Sequence, residues 1–310
     1  MIGQTTADRI DAKTPLPVDG GTEGGGAGSL PVGRKIWRTL RSHPSMIVGL
    51  FVLLGIITVA FIGPYVTPYL PLKTNPENML QPPSAAHPMG TDNFGRDILT
   101  RIIYGAQLDL IITFSVVAIA LGTGVLIGIF TGYHGGKVDD VVMRVTDVIL
   151  AFPSFILALT ITAVLGNSIP NVIIAIAIAY IPYFVRLTRG EVLSARELDY
   201  AEAARCVGNP SWRVMYLHLL PNCLTPALVQ ATLCLGWAIL DASGLAFLGL
   251  GIRPPTPEWG VMVSEGARDI ISGQWWTAFF PGAVIVLTAF SFNLIGDSLR
   301  DMTSPTEATE

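Results

Sequence analysis

Long uncharged runs dominate the polarity pattern of this chain. Six of them are 17 to 27 residues long: Ser45 to Val66, Leu110 to Gly132, Asp147 to Leu165, Ile169 to Val185, Asn222 to Leu248 and Thr277 to Gly296. Only Asp147 and Asp241 bring charge into them. Each run approximates the ~20 apolar residues that one helix needs to cross a hydrocarbon core, and a helix satisfies its own backbone groups there. The pattern therefore predicts an all-α polytopic membrane protein with six transmembrane helices. Pro153, Pro182, Pro226 and Pro281 fall inside these runs, where lipid-embedded helices tolerate proline, and kinks are expected at Pro153 and Pro182.

The polar segments between the runs give the orientation. With six spans both termini share one side, together with residues 133–146 and 186–221; that side holds 14 of the 19 Lys and Arg, and the segments 67–109, 166–168 and 249–276 hold five. The excess of basic residues places both ends in the cytoplasm. Residues 1–33 contain GGTEGGGAGS and no apolar run, so they predict a flexible cytoplasmic tether rather than a cleavable signal. Residues 34–44 carry Arg34, Lys35, Arg38 and Arg41 around an Ile36, Trp37, Leu40 face. They read either as a short helix on the inner membrane surface or as a basic flank that sets topology. The membrane-spanning body covers 45–302, and 303–310 form a cytoplasmic tail.

Composition narrows the class further. Hydrophobic residues make up 51% of the 310 and charged residues only 14%, with a mean hydropathy of +0.55. A soluble chain carries about a quarter charged residues, so this one cannot clothe an aqueous surface. A net charge of −4 without a basic stripe excludes a nucleic-acid partner. Cys206, Cys223 and Cys234 have no metal or redox spacing; Cys223 and Cys234 lie ~16 Å apart along a helix, too far for a disulfide. No phosphate-binding G-x-x-x-x-G-K-[ST], no H-E-x-x-H and no G-x-S-x-G occurs, so the chain is read as non-catalytic, binding neither metal nor cofactor, and any ATP is hydrolysed by a partner.

The most informative loop runs from residue 189 to 221. Its middle predicts a short helix over Glu202 to Val207, a Gly208-Asn209-Pro210 turn, and a second helix that Ser211 caps and that stops before Pro221. Ala203 and Ala204 permit close approach of another backbone, and Glu202 and Arg205 offer paired charges. On spacing alone this is either a lever for a soluble partner or an ordinary amphipathic loop.

The order Glu202-Ala203-Ala204, three residues, Gly208, nine residues, His218-Leu219-Leu220-Pro221 resembles the EAA loop of bacterial ABC importer permeases, departing at His218 where that family favours Ile. Residues His87 to Asp97 followed by Arg101 and Tyr104-Gly105-Ala106 resemble the segment before the second span in dipeptide, oligopeptide and nickel importers, and Phe247 to Gly251 followed by Pro254 to Gly260 resemble the outer loop of that subfamily's C-type permease. The likeness covers roughly residues 34 to 302. It implies a type I importer permease fold in the bacterial plasma membrane, with Glu202, Ala203, Ala204, Arg205, Gly208 and Pro221 in the loop that couples to ATPase subunits. It also implies a second, B-type permease, two ATPases holding ATP and Mg2+, an extracytoplasmic binding protein, a peptide substrate and alternating access. Nickel or a haem-like ligand is the second reading within that family; a stand-alone secondary transporter, which would need internal repeats, and a membrane enzyme are the readings outside it.

Several residues remain to be placed. Asp92, Arg96, Asp97 and Arg101 read as a local network that folds an outer loop, and Trp259, Trp275 and Trp276 suit a membrane interface. That outer face, residues 253 to 276 above all, is expected to receive the binding protein. Gly124, Gly128 and Gly132 recur every fourth residue, which lets another helix approach inside the subunit or across a permease pair. Asp241, beside Ser243 and Gly244, is expected near the outer end of its span, either in the translocation pathway or gate, where it could meet a peptide amino terminus, or in a pair with a neighbouring subunit. Asp147 reads as a charge at a helix N-terminus.

Overall fold

The computed structural model describes residues 44–303. The tether, the basic segment before Pro44 and the tail beyond Thr303 lie outside the described residues. Nine helices account for the described architecture: α1 (Pro44–Val66), α2 (Ile98–His134), α3 (Gly136–Leu150), α4 (Ser154–Leu165), α5 (Ile169–Ala195), α6 (Asp199–Cys206), α7 (Ser211–Phe247), α8 (Trp259–Ala267) and α9 (Trp276–Thr303). Five, namely α1, α2, α5, α7 and α9, are long and apolar enough to cross a membrane, and α3 with α4 makes a sixth only if that bent pair is one span.

The third expected span is the one that differs most. Helices α3 and α4 meet at 91°. Pro153 has no N–H and forces the residue before it out of helical geometry, so the chain turns at Ala151 to Pro153. Twelve residues of α4 reach ~18 Å, short of the ~30 Å core. Asp147 consequently lies in the last turn of α3 rather than at the start of a span. Helix α5, by contrast, runs through Pro182 unbroken and continues ten residues past Val185.

Small residues weld the bundle. A Cβ on Gly124 would stand 2.9 Å from the Ile181 carbonyl, on Gly128 2.8 Å from that of Val185, and on Gly132 3.0 Å from that of Arg189. These three glycines thus form the seam along which α2 and α5 touch backbone to backbone. Around it Ile112, Val116 and Ala120 of α2, Ala175, Ala179 and Phe184 of α5, and Ala227, Ala238 and Leu245 of α7 form one buried core. A second, smaller core of Ile129, Val192, Ala195, Ala201, Ala204, Val214, Met215 and Leu219 sits at the end of the bundle where α6 and the start of α7 fold together. We call this the hairpin end.

The opposite end carries a cap made of residues 67–97 and α8. Asp97 accepts the Thr100 N–H at 2.8 Å and so starts α2 twelve residues before the uncharged run begins. Arg101 and Asp109 are therefore helical and buried. The cap closes over them, which is why charge can precede the apolar stretch on the same helix. Trp259 is fully buried, donating from Nε1 to the Ile102 carbonyl at 2.9 Å, and Trp276 is buried beneath Thr91; of the three tryptophans expected at an interface, only Trp275 is exposed.

Candidate functional site: the hairpin, the cap and the polar stripe between them

At the hairpin end α6 is held by its own small residues. Ala201 and Ala204 point into the second core, while Glu202, Ala203, Arg205 and Cys206 face outwards. Gly208 ends the helix with φ +84°, donating its N–H to the Arg205 carbonyl at 2.9 Å, and Asn209 Nδ2 donates to the Ala204 carbonyl at 3.0 Å. A left-handed residue here lets the chain reverse in three positions, and glycine adopts that conformation without strain.

Two expectations for this loop change. Ser211 is the first residue of α7, Pro210 precedes it, and no side chain caps the helix. Nor does the helix stop before Pro221. It passes through a π-helical stretch over Val214 to Leu219, with the Leu220 N–H donating to the Met215 carbonyl five residues back, and continues as α7 to Phe247. The wider π turn gives the proline ring the room that an α turn denies it. The hairpin is thus rigidly continuous with a span. Arg205 donates to the Arg196 carbonyl at 2.9 Å instead of pairing with Glu202, and Arg196 in turn donates to the Gly132 carbonyl at 2.9 Å. These bonds tie α6 to the ends of α5 and α2. What remains outward is a mixed surface: Glu202, Ala203, Arg205, Val207 (83% exposed) and Trp212 (54% exposed).

In the cap, Arg96 Nε donates to Asp92 at 2.6 Å and its Nη2 to Glu265 at 2.9 Å, while Arg101 Nη2 donates to the same Glu265 oxygen at 3.2 Å. Two carboxylates and two guanidiniums, nearly dry, lock the 67–97 segment and the start of α2 onto α8. The expected network was correct in Asp92, Arg96 and Arg101. Asp97 belongs elsewhere, accepting from Thr100 and bonded to His87 at 2.9 Å. Glu265 was missed because 169 positions separate it from Arg96. A second pair was missed for the same reason: Asp109 and Glu258 touch through their carboxyl groups, both buried, with the Trp259 N–H on Asp109 at 3.1 Å and the Gly260 and Val261 N–H groups on Glu258. Burial pushes the Glu258 carboxyl above its ordinary value, and two carboxyls in contact cannot both ionise.

Between the two ends Asp241 meets Tyr180, whose hydroxyl donates to Oδ2 at 2.9 Å. Tyr180 lies eleven residues, ~16 Å, from the cap-side start of α5, so Asp241 is deeper in the bundle than its place near the end of α7 suggested. Ser243 is separate from it. The Ser243 backbone is packed against Gly260 of α8, where a Cβ would run into the Ser243 carbonyl. Asp147 pairs with Arg186 across the bend, and Arg189 grips Asp139 with two bonds of 2.5 and 2.6 Å. That grip holds the Asp139 carboxyl below its usual range. Among the described residues no group of three His, Cys, Asp or Glu is placed to hold a metal ion.

A helical bundle with five or six apolar spans, a short bent pair, a capped far end and a two-helix hairpin is the architecture of an all-α polytopic membrane protein. A chain of the MetNI methionine ABC transporter, solved in an inward-facing conformation, shares the fold, with a TM-score of 0.51 at 19% identity over 66% of this chain and 97% of that one. Residues 124–307 match the family described as binding-protein-dependent transport system inner membrane component, and 32–83 match the N-terminal transmembrane domain of oligopeptide transport permease C. The dipeptide transport system permease protein DppC of Alkalihalophilus pseudofirmus is 46% identical over 272 residues, covering 88% of this chain and 89% of that protein. The di/tripeptide transport system permease protein DppC of Pseudomonas aeruginosa is 42% identical over 278 residues, covering 88% and 91%. The chain belongs to the binding-protein-dependent inner-membrane permease family, as a C-type permease of the dipeptide/oligopeptide branch. It is a multi-pass inner-membrane, non-catalytic subunit of an ABC importer.

Proposed function

We propose that this chain forms one half of the membrane channel of an ATP-driven di- or oligopeptide importer, and that residues 199–221 are the element through which separate ATPases drive it. The reading rests on one observation above the others. The hairpin offers an exposed strip of Glu202, Ala203, Arg205, Val207 and Trp212 on a base that is continuous, through the π turn, with α7. A push on that strip is carried into the bundle rather than absorbed by a loose loop. ATP closes the two ATPases, the hairpins move, and the paired permeases turn a shared midline cavity from inward to outward facing; hydrolysis resets it. Both termini and the hairpin lie in the cytoplasm by the excess of Lys and Arg on that side, and the cap faces outward to receive the binding protein. The printed names of the most similar relatives, dipeptide and di/tripeptide permeases, support a peptide cargo.

Gly208→Val tests the coupling role. A Cβ at Gly208 meets nothing within 4 Å, so the variant suffers only from a β-branched residue at φ +84°, a strain of ~1–2 kcal/mol that re-aims the turn. Peptide uptake by the assembled complex should fall at least tenfold while membrane insertion and expression persist. Uptake at the wild-type rate would sink the assignment.

A further inference from the structure

One face of the α5–α7 pair is unlike the rest of the spans. On α7, Gln230, Cys234, Trp237 and Asp241 recur at helical spacing; on α5, Tyr180, Tyr183 and Arg186 follow at three-residue steps that turn from the buried side, where Tyr180 sits, to the exposed side, where Arg186 sits. The rows meet. The Tyr180 and Tyr183 rings are 6.1 Å apart, those of Tyr183 and Trp237 6.2 Å, and Tyr180 holds Asp241. Towards the hairpin end the stripe opens into a cleft of about 610 Å³ lined by Tyr183, Arg186, Glu191 and Gln230, among others, within the size range of small-ligand sites.

The charges on this stripe are incompletely matched. Asp241 has no cationic partner among the described residues, only the Tyr180 hydroxyl. A carboxylate inside a span normally faces a partner or a polar cavity. Arg186 is paired with Asp147 through one nitrogen, and the pair stands open, with 57% and 62% of the two side chains exposed. The remaining guanidinium N–H groups can take a second carboxylate. Six residues of helix separate Tyr180 from Arg186, an axial offset of ~9 Å. An extended chain covers ~7 Å in two residues and ~10 Å in three.

We infer that this stripe is a zwitterion site on the translocation path, with Asp241, held in place by the buried Tyr180 hydroxyl, receiving the free amino terminus of a short peptide and Arg186 its carboxylate. The aromatic rings between them carry the side chains without choosing among them, and the fixed spacing selects peptides of two or three residues with both ends free. Glu191, farther along the cleft, repels a carboxylate that overshoots. This inference rests on the peptide-import reading and adds the groups that recognise the cargo inside the membrane.

The test uses the complete complex, with its ATPases, second permease and binding protein, reconstituted in liposomes and supplied with radiolabelled Ala-Ala or Ala-Ala amide. Asp241→Asn should slow Ala-Ala uptake at least tenfold and Asp241→Glu should restore most of it. Arg186→Gln should slow Ala-Ala at least fivefold while uptake of the amide stays near its wild-type rate. Because the binding protein is the same throughout, the mutant to wild-type ratio for each peptide reports the permease step. Equal losses for the two peptides in Arg186→Gln, or no loss in any variant, would overturn the site while leaving peptide import standing. If Asp241→Asn loses basal ATP hydrolysis and so fails to assemble, the Arg186→Gln ratio alone decides. Import of neither peptide by the wild-type complex would remove the peptide reading itself and this site with it.

Discussion

Replacing Glu265 by alanine is expected to unfasten the cap and destabilise the subunit by ~3–5 kcal/mol, the usual cost of removing one member of a buried ion cluster. Arg96 and Arg101 both donate to the same Glu265 oxygen and are 3% and 1% exposed along their side chains. Without Glu265 two guanidiniums share Asp92 alone, and one positive charge is left in a nearly dry site. Thermal unfolding of the purified complex, with protease sensitivity of residues 67–97 as a local readout, measures the loss. The electrostatic account makes a second demand. Adding Arg101→Leu to Glu265→Ala should recover part of the stability, because it removes the surplus charge, whereas a packing account predicts a further loss. A single-variant cost below about 1 kcal/mol would show that the cluster does not hold the cap.

Gly128→Leu is expected to abolish the folded subunit. A Cβ alone would stand 2.8 Å from the Thr188 Cβ, 2.8 Å from the Val185 carbonyl and 3.1 Å from the Arg189 amide. Two of these neighbours are backbone and cannot rotate aside. A leucine must therefore part α2 from α5 along their closest seam, beyond the ~1–3 kcal/mol typical of overpacking a core. Gly122→Leu is the control, since nothing lies within 4 Å of its Cβ. Monodisperse protein in detergent should vanish for the first and persist for the second. Equal yields would mean that the glycine seam does not set the helix spacing.

The seam shows how far the amino-acid order reaches. Spacing alone made Gly124, Gly128 and Gly132 a close-packing face but left open whether the partner was inside the subunit or across a permease pair. Helix α5 occupies that face. The hairpin was legible in outline, because glycine and proline punctuate it in a way that few conformations satisfy. Its continuity with α7 was not: proline reads as a stop unless a π turn precedes it, and no local signal announces that turn. Pro153 announced a kink, but a 91° bend that lays α3 aside from α4 depends on what α3 packs against.

Charge was read least well where it was buried. Asp92, Arg96 and Arg101 were near enough in the chain to suggest a network, yet Glu265 completes it from 169 residues away, and Glu258 reaches Asp109 from a similar distance. The tryptophans erred in the same direction. Trp259 and Trp276 have the amphipathic character of interface residues, but the cap folds over both and finds partners for their N–H groups.

The order of residues by itself determined the solvent, the number of apolar segments, their ends to within a few turns and the hairpin that carries the family's motif. All of these follow from one-dimensional facts: a run is either long and apolar enough for lipid or it is not, and glycine or proline either permits a turn or forbids it. The tertiary structure alone decided which charges are satisfied and which stay open. Arg101 ends in a closed cluster while Asp241 keeps a tyrosine hydroxyl as its sole partner among the described residues. Pairing a buried charge requires a second element at the right depth and angle, and only the packing of helices distant in the chain can supply it.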